Sequence, residues 1–156
     1  IIIKFYIKKH NKLFQNKPKY GRILCKVVKL KSEKYNIISL AYLGDAVYEL
    51  YIRKYLLEKG IYKVENLNKE AIKYVSAKGQ ANILDYFLQT DKLDTNEIDV
   101  VKRGRNYKRA SHPKNTDIIT YKKSTGFEAL LGYHYINNNI SRLEELIKEV
   151  QNANIW

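Results

Sequence analysis

Leu40-Ala41-Tyr42-Leu43-Gly44-Asp45-Ala46-Val47-Tyr48-Glu49-Leu50 decides the fold class of this chain. Leu40, Leu43, Val47 and Leu50 recur at i, i+3, i+7 and i+10, which predicts a helix with that stripe toward a core. Asp45 and Glu49 lie one turn apart and point away from the stripe. Their neighbours on that side, Tyr42 and Ile52, are not those of a fully solvated face. Gly44 costs a helix interior about 1 kcal/mol relative to alanine, so something is expected to approach its backbone closely. On spacing alone two readings stay open: a surface carboxylate pair, or a metal site presented to a large ligand.

Gly126-Phe127-Glu128-Ala129-Leu130-Leu131-Gly132-Tyr133 is a second apolar helix with a single acid, and Glu128 and Gly132 share one face at i, i+4. A carboxylate again stands beside a point of close approach. Between the two helices lie Val101-Lys102-Arg103-Gly104-Arg105-Asn106 and His112-Pro113-Lys114-Asn115-Thr116-Asp117. In this order and spacing, LGDAVYE, VSAKGQA, KRGRN, HPKNTD and FEALLGY closely resemble Mini-ribonuclease III, the compact bacterial branch of the ribonuclease III family that lacks a separate double-stranded-RNA-binding domain. The resemblance runs from about Asn36 to Val150.

The composition agrees with one helical domain. A chain of 156 residues supports one real core. Seven glycines and two prolines leave little turn chemistry for many short strands. The lone cysteine, Cys25, excludes an internal disulfide framework and a cysteine metal cage, and fits a reducing cytoplasm. No apolar run approaches the ~20 residues of a membrane span, and Ile1 to Ile7 lacks the pattern of a secretory signal.

The net charge of +13 is uneven. Residues 1–35 hold 11 Lys and Arg against Glu33 alone, leaving +3 for the remainder. The expected organisation is a basic extension over residues 1–33, without a family counterpart or an assigned role, followed by the catalytic domain over 34–156. Such an arm can bind phosphate backbones without sequence preference. Helices are predicted over about 37–59, stopped by Gly60; over about 66–89, capped by Asn66; from Thr95 to about Arg105; and over about 118–137 and 140–151. Residues 108–117 read as a loop, Asn137 to Asn139 as a connector, and Ser141 lies near the last amino terminus.

The resemblance implies an all-α ribonuclease III endonuclease domain that hydrolyses double-stranded RNA with Mg²⁺. It makes Asp45 and Glu128 the catalytic metal ligands and places Glu49 behind them, in contact through water or structural only. Ala41 and Thr125 stand where the longer enzymes carry further acids, as expected of the Mini-III branch. Lys102, Arg103, Arg105, Asn106, Lys108 and Arg109, continued by His112, Lys114 and Asn115, form the expected RNA contacts, with Lys78 and Gln80 as weaker candidates. A duplex recognised by shape and backbone suits such a cluster. The resemblance also implies a homodimer, because two sites about a twofold axis suit antiparallel strands, and precursor large-subunit ribosomal RNA as substrate. The competing readings are a non-catalytic relative that binds structured RNA, against which both retained acids argue, and a helical protein-interaction domain.

Overall fold

A computed structural model describes residues 35–108 and 117–153 of the chain. The basic extension, Cys25, Arg109, His112, Lys114 and Asn115 lie outside the described residues. Among the described residues six helices follow in order: α1 (Ile37–Glu58), α2 (Val64–Val75), α3 (Ala77–Gln89), α4 (Thr95–Arg105), α5 (Ile118–Ile136) and α6 (Ile140–Asn152). There is no strand among the described residues, and no helix there is long and apolar enough to cross a membrane.

Local chemistry explains most of the boundaries. Asn36 caps α1 by accepting from the Ile38 backbone N–H at 3.0 Å. Gly60 ends that helix at φ +83°, a conformation glycine adopts without strain. The expected single helix over 66–89 is two. Ser76 adopts an extended conformation between them, and its hydroxyl accepts from the Gly79 N–H at 3.2 Å. Asn66 is not a cap, because α2 begins earlier, after Lys63. The cap of α4 is Asp94, which forms a reciprocal capping box with Glu97. Asn138, at φ 58°, turns the chain between α5 and α6. Ser141 falls inside α6, and Asn139 occupies the cap position without a side-chain hydrogen bond.

The fifth helix is apolar on nearly every side and lies at the centre, contacted by α1, α3, α4 and α6. Tyr48, Phe87 and Phe127 meet in its main core, with the Tyr48 and Phe127 rings edge to face at 5.0 Å. Leu40 and Val47 are buried as expected, whereas Leu50 is 67% exposed. The core side of α1 swings instead toward Tyr48, Ile52 and Leu56. Ile52, expected beside the acids on a partly covered face, is fully buried.

One charged cluster ties three elements together. Glu97, 1% exposed, accepts from Arg142 Nε at 2.8 Å and Nη2 at 2.9 Å and from the Asp94 N–H at 2.8 Å. His134 Nε2 lies 2.8 Å from Glu97 Oε1, although neither ring nitrogen is aimed for a directed hydrogen bond. Burial pushes the His134 imidazole below its ordinary value despite the attraction of Glu97. Burial pushes the Glu97 carboxyl up, but the Arg142 hydrogen bond, the Asp94 N–H and the charges of Arg142 and His134 together hold it below its ordinary value.

Glu97→Ala is therefore expected to cost about 3 kcal/mol at neutral pH, by removing the buried carboxylate to which Arg142 Nε and Nη2 donate and opening the cap. A carboxyl depressed in the folded state stabilises above its unfolded pKa, and that stability disappears as the pH falls through the folded value. The gap between parent and variant should close as the pH drops below the ordinary carboxylate range. Thermal unfolding of both proteins across acid pH measures it. Parallel curves would mean that the charge of Glu97 is not the source of the stabilisation.

Candidate active site

Two glycines bring the acid-bearing helices together. A Cβ on Gly44 would overlap the Glu128 carbonyl oxygen and stand 2.7 Å from the Gly132 nitrogen. A Cβ on Gly132 would overlap the Leu40 carbonyl oxygen and stand 3.1 Å from the Gly44 nitrogen. The close approach expected at Gly44 is thus made by α5, backbone on backbone. Asp45, next to Gly44, and Glu128 consequently lie on neighbouring turns of touching helices. Asp45 is exposed and Glu128 half-buried.

Glu49 lies one turn beyond Asp45 and pairs with Arg53 at 2.9 Å. No group of three His, Cys, Asp or Glu side chains able to hold a metal occurs among the described residues. On these adjoining turns Asp45 and Glu128 could offer two carboxylates at most. That does not suit a closed transition-metal cage. It suits Mg²⁺, which takes hard oxygen ligands, retains several waters and needs one or two carboxylates beside a substrate phosphate.

The two missing acids have a packing explanation. Ala41, 1% exposed, is buried with Ile37, Leu40, Val100 and Ala129. Thr125, 4% exposed, donates its hydroxyl to the Tyr121 carbonyl at 3.0 Å. Both positions are sealed between helices here. An aspartate at 125 would place a charge in that seal, so Thr125→Asp is expected to cost about 2 kcal/mol in the presence of EDTA. Added Mg²⁺ should recover part of the loss by neutralising the new charge. Melting curves in EDTA and in Mg²⁺ decide it. A variant as stable as the parent in EDTA would show that the new carboxylate escapes to solvent.

Gln80 is not placed for RNA contact. It is 1% exposed, and its Nε2 donates to Asp45 Oδ1 at 3.3 Å. Its position carried a readable signal: Gln80, Ile83, Leu84 and Phe87 form an i, i+3, i+4, i+7 stripe, in which a polar residue needs a partner. Lys78 is exposed.

The carboxy terminus of α4 is pressed onto the middle of α5. A Cβ on Gly104 would come within 2.8 Å of Gly126 Cα, and one on Gly126 within 2.8 Å of Arg105 Cγ. Arg105 is thereby fixed beside Gly126, two residues before Glu128. Lys102, Arg103, Asn106 and Lys108 are exposed around it. Lys102 is only loosely paired, 3.8 Å from Asp99. Three of these cations also fall in the last turn of α4, where positive charge complements the helix dipole.

Comparison with known proteins places this arrangement. Residues 38–139 match the Ribonuclease III domain family. The chain is 47% identical over 112 residues to Mini-ribonuclease 3 of Streptococcus pneumoniae, spanning 72% of this chain and 88% of that protein. It is 46% identical over 114 residues to Mini-ribonuclease 3 of Brevibacillus brevis, spanning 73% and 84% respectively. A crystal structure of a Fusobacterium nucleatum protein superposes with a TM-score of 0.70 at 33% identity, covering 78% of this chain and 97% of that one.

Proposed function

This chain belongs to the ribonuclease III family, in its Mini-ribonuclease III branch, and on that premise we propose a Mg²⁺-dependent endoribonuclease that cuts double-stranded RNA and matures precursor large-subunit ribosomal RNA. The observation that carries the reading is the Gly44–Gly132 contact, which draws LGDAVYE and FEALLGY together with an acid on each side. Asp45 and Glu128 would hold the cation, with Glu49 in a supporting role. The bound ion supplies Lewis-acid polarisation of the phosphoryl oxygen and activation of water.

The protein's own groups do the rest. Lys102, Arg103, Arg105, Asn106 and Lys108, continued by Arg109, His112, Lys114 and Asn115, grip phosphates and sugars along an A-form helix. They orient the backbone without reading sequence. His112 serves as such a contact and not as a general base. A homodimer presents one site to each strand of the duplex. The proposed organisation is a basic amino-terminal extension over residues 1–33 and a catalytic domain over residues 34–156.

Incubation with a labelled RNA duplex, with and without Mg²⁺, tests this reading. Cleavage only with the cation is expected. Duplex binding without cleavage in either condition would favour the alternative, a non-catalytic relative that binds structured RNA.

A further inference from the structure

Asp45 is exposed, and an exposed aspartate ordinarily samples several rotamers. Here one of its oxygens has a fixed partner. Gln80 sits in the first turn of α3, and that turn is locked to the end of α2. Its own N–H donates to the Ser76 carbonyl at 2.9 Å, the Ser76 hydroxyl accepts from Gly79, and a Cβ on Gly79 would stand 2.7 Å from the Tyr74 carbonyl oxygen. The same Tyr74 carbonyl accepts from the buried Tyr48 hydroxyl at 3.4 Å, and Tyr48 follows Asp45 by three residues on α1. On the other side, Lys123 Nζ lies 2.6 Å from Asp85 Oδ2, clamping α3 to the helix that bears Glu128. The third helix is thus registered against both acid-bearing helices.

The chemistry of the donor matters as much as its place. A lysine or arginine at 80 would neutralise Asp45 and compete with a cation. A primary amide orients the carboxylate but leaves its full negative charge. With Oδ1 engaged by Gln80, Oδ2 and the remaining lone pairs stay available for a metal. Groups that hold a ligand carboxylate in this way set metal affinity by removing rotamers that must otherwise be frozen on binding.

We propose that Gln80 is a positioning residue for Asp45: its buried amide presets the carboxylate for a divalent cation without discharging it. This rests on the reading of Asp45 as a metal ligand. The test uses the full chain with Gln80→Met, which keeps length and removes the donor, and Gln80→Asn, which keeps an amide but draws it back by one methylene. Asp45→Asn serves as control. Mn²⁺ affinity of the metal-free proteins is measured by calorimetry, the Mg²⁺ midpoint by duplex cleavage, and folding by thermal unfolding.

Both Gln80 variants should weaken Mn²⁺ binding and raise the Mg²⁺ midpoint about 10-fold. Turnover should largely recover at saturating Mg²⁺, with KM for the duplex unmoved. A purely structural role would lower the melting temperature and leave both midpoints in place, which overturns the proposal. Failure of both variants to fold overturns it as well, since the amide would then serve packing. If Asp45→Asn binds Mn²⁺ as tightly as the parent, the reading of Asp45 itself fails. If that control loses Mn²⁺ while both Gln80 variants retain it, only the role of Gln80 falls.

Discussion

Asp45→Asn is expected to reduce duplex cleavage by about 10³-fold or more, equivalent to about 4 kcal/mol of transition-state stabilisation. Folding and RNA binding should persist. The amide is nearly isosteric, and its oxygen still accepts the hydrogen bond that Gln80 donates to Asp45 Oδ1. What disappears is the negative charge on α1 next to Gly44, the residue that meets the Glu128 backbone. On the proposed reading, the cation would then have to be held by Glu128 and substrate phosphate alone. Cleavage and gel-shift affinity should be measured on the same duplex at one salt concentration, since phosphate-backbone affinity changes steeply with salt. Turnover close to that of the parent would remove Asp45 from the chemistry. Loss of duplex binding together with cleavage would assign Asp45 to the fold instead.

Helical periodicity, few glycines and two prolines made the all-α class legible, whereas the cap read at Asn66 falls inside α2. The break at Ser76 was hidden because VSAKGQA contains no proline and its apolar residues continue the period across the kink. The serine hydroxyl replaces a backbone partner there, a tertiary choice that periodicity does not report. Leu50 was assigned to the core by extending one stripe too far. Over the second half of α1 the buried side is set by where α2 and α5 lie, and Ile52 and Leu56 take it. The close approach of the two acid-bearing helices was legible through the glycine in LGDAVYE. The bond from Gln80 to Asp45 was not, because it joins residues 35 apart through a packing of helices that no local pattern encodes.

Gly44→Ala separates the structural demand of the site from helix propensity, because the two predict opposite signs. In a helix whose glycine faces open space, alanine stabilises by about 1 kcal/mol. At position 44 the new methyl would meet the Glu128 carbonyl and the backbone of Gly132, neither of which is the far end of a flexible side chain. Relief requires α1 and α5 to part, and α5 is the helix around which the whole core packs. The expected net loss is about 3 kcal/mol, at the upper end for overpacking, read as a lower urea midpoint with an unchanged slope. Parting the helices also moves Asp45 from Glu128, so the folded fraction should cleave slowly and need more Mg²⁺ than the parent. Gly132→Ala should reproduce both effects from the opposite helix, where its methyl meets the Leu40 carbonyl. A stabilised Gly44→Ala protein would show that the helices do not touch at this point, and the carboxylate pair would lose the contact that assembles it.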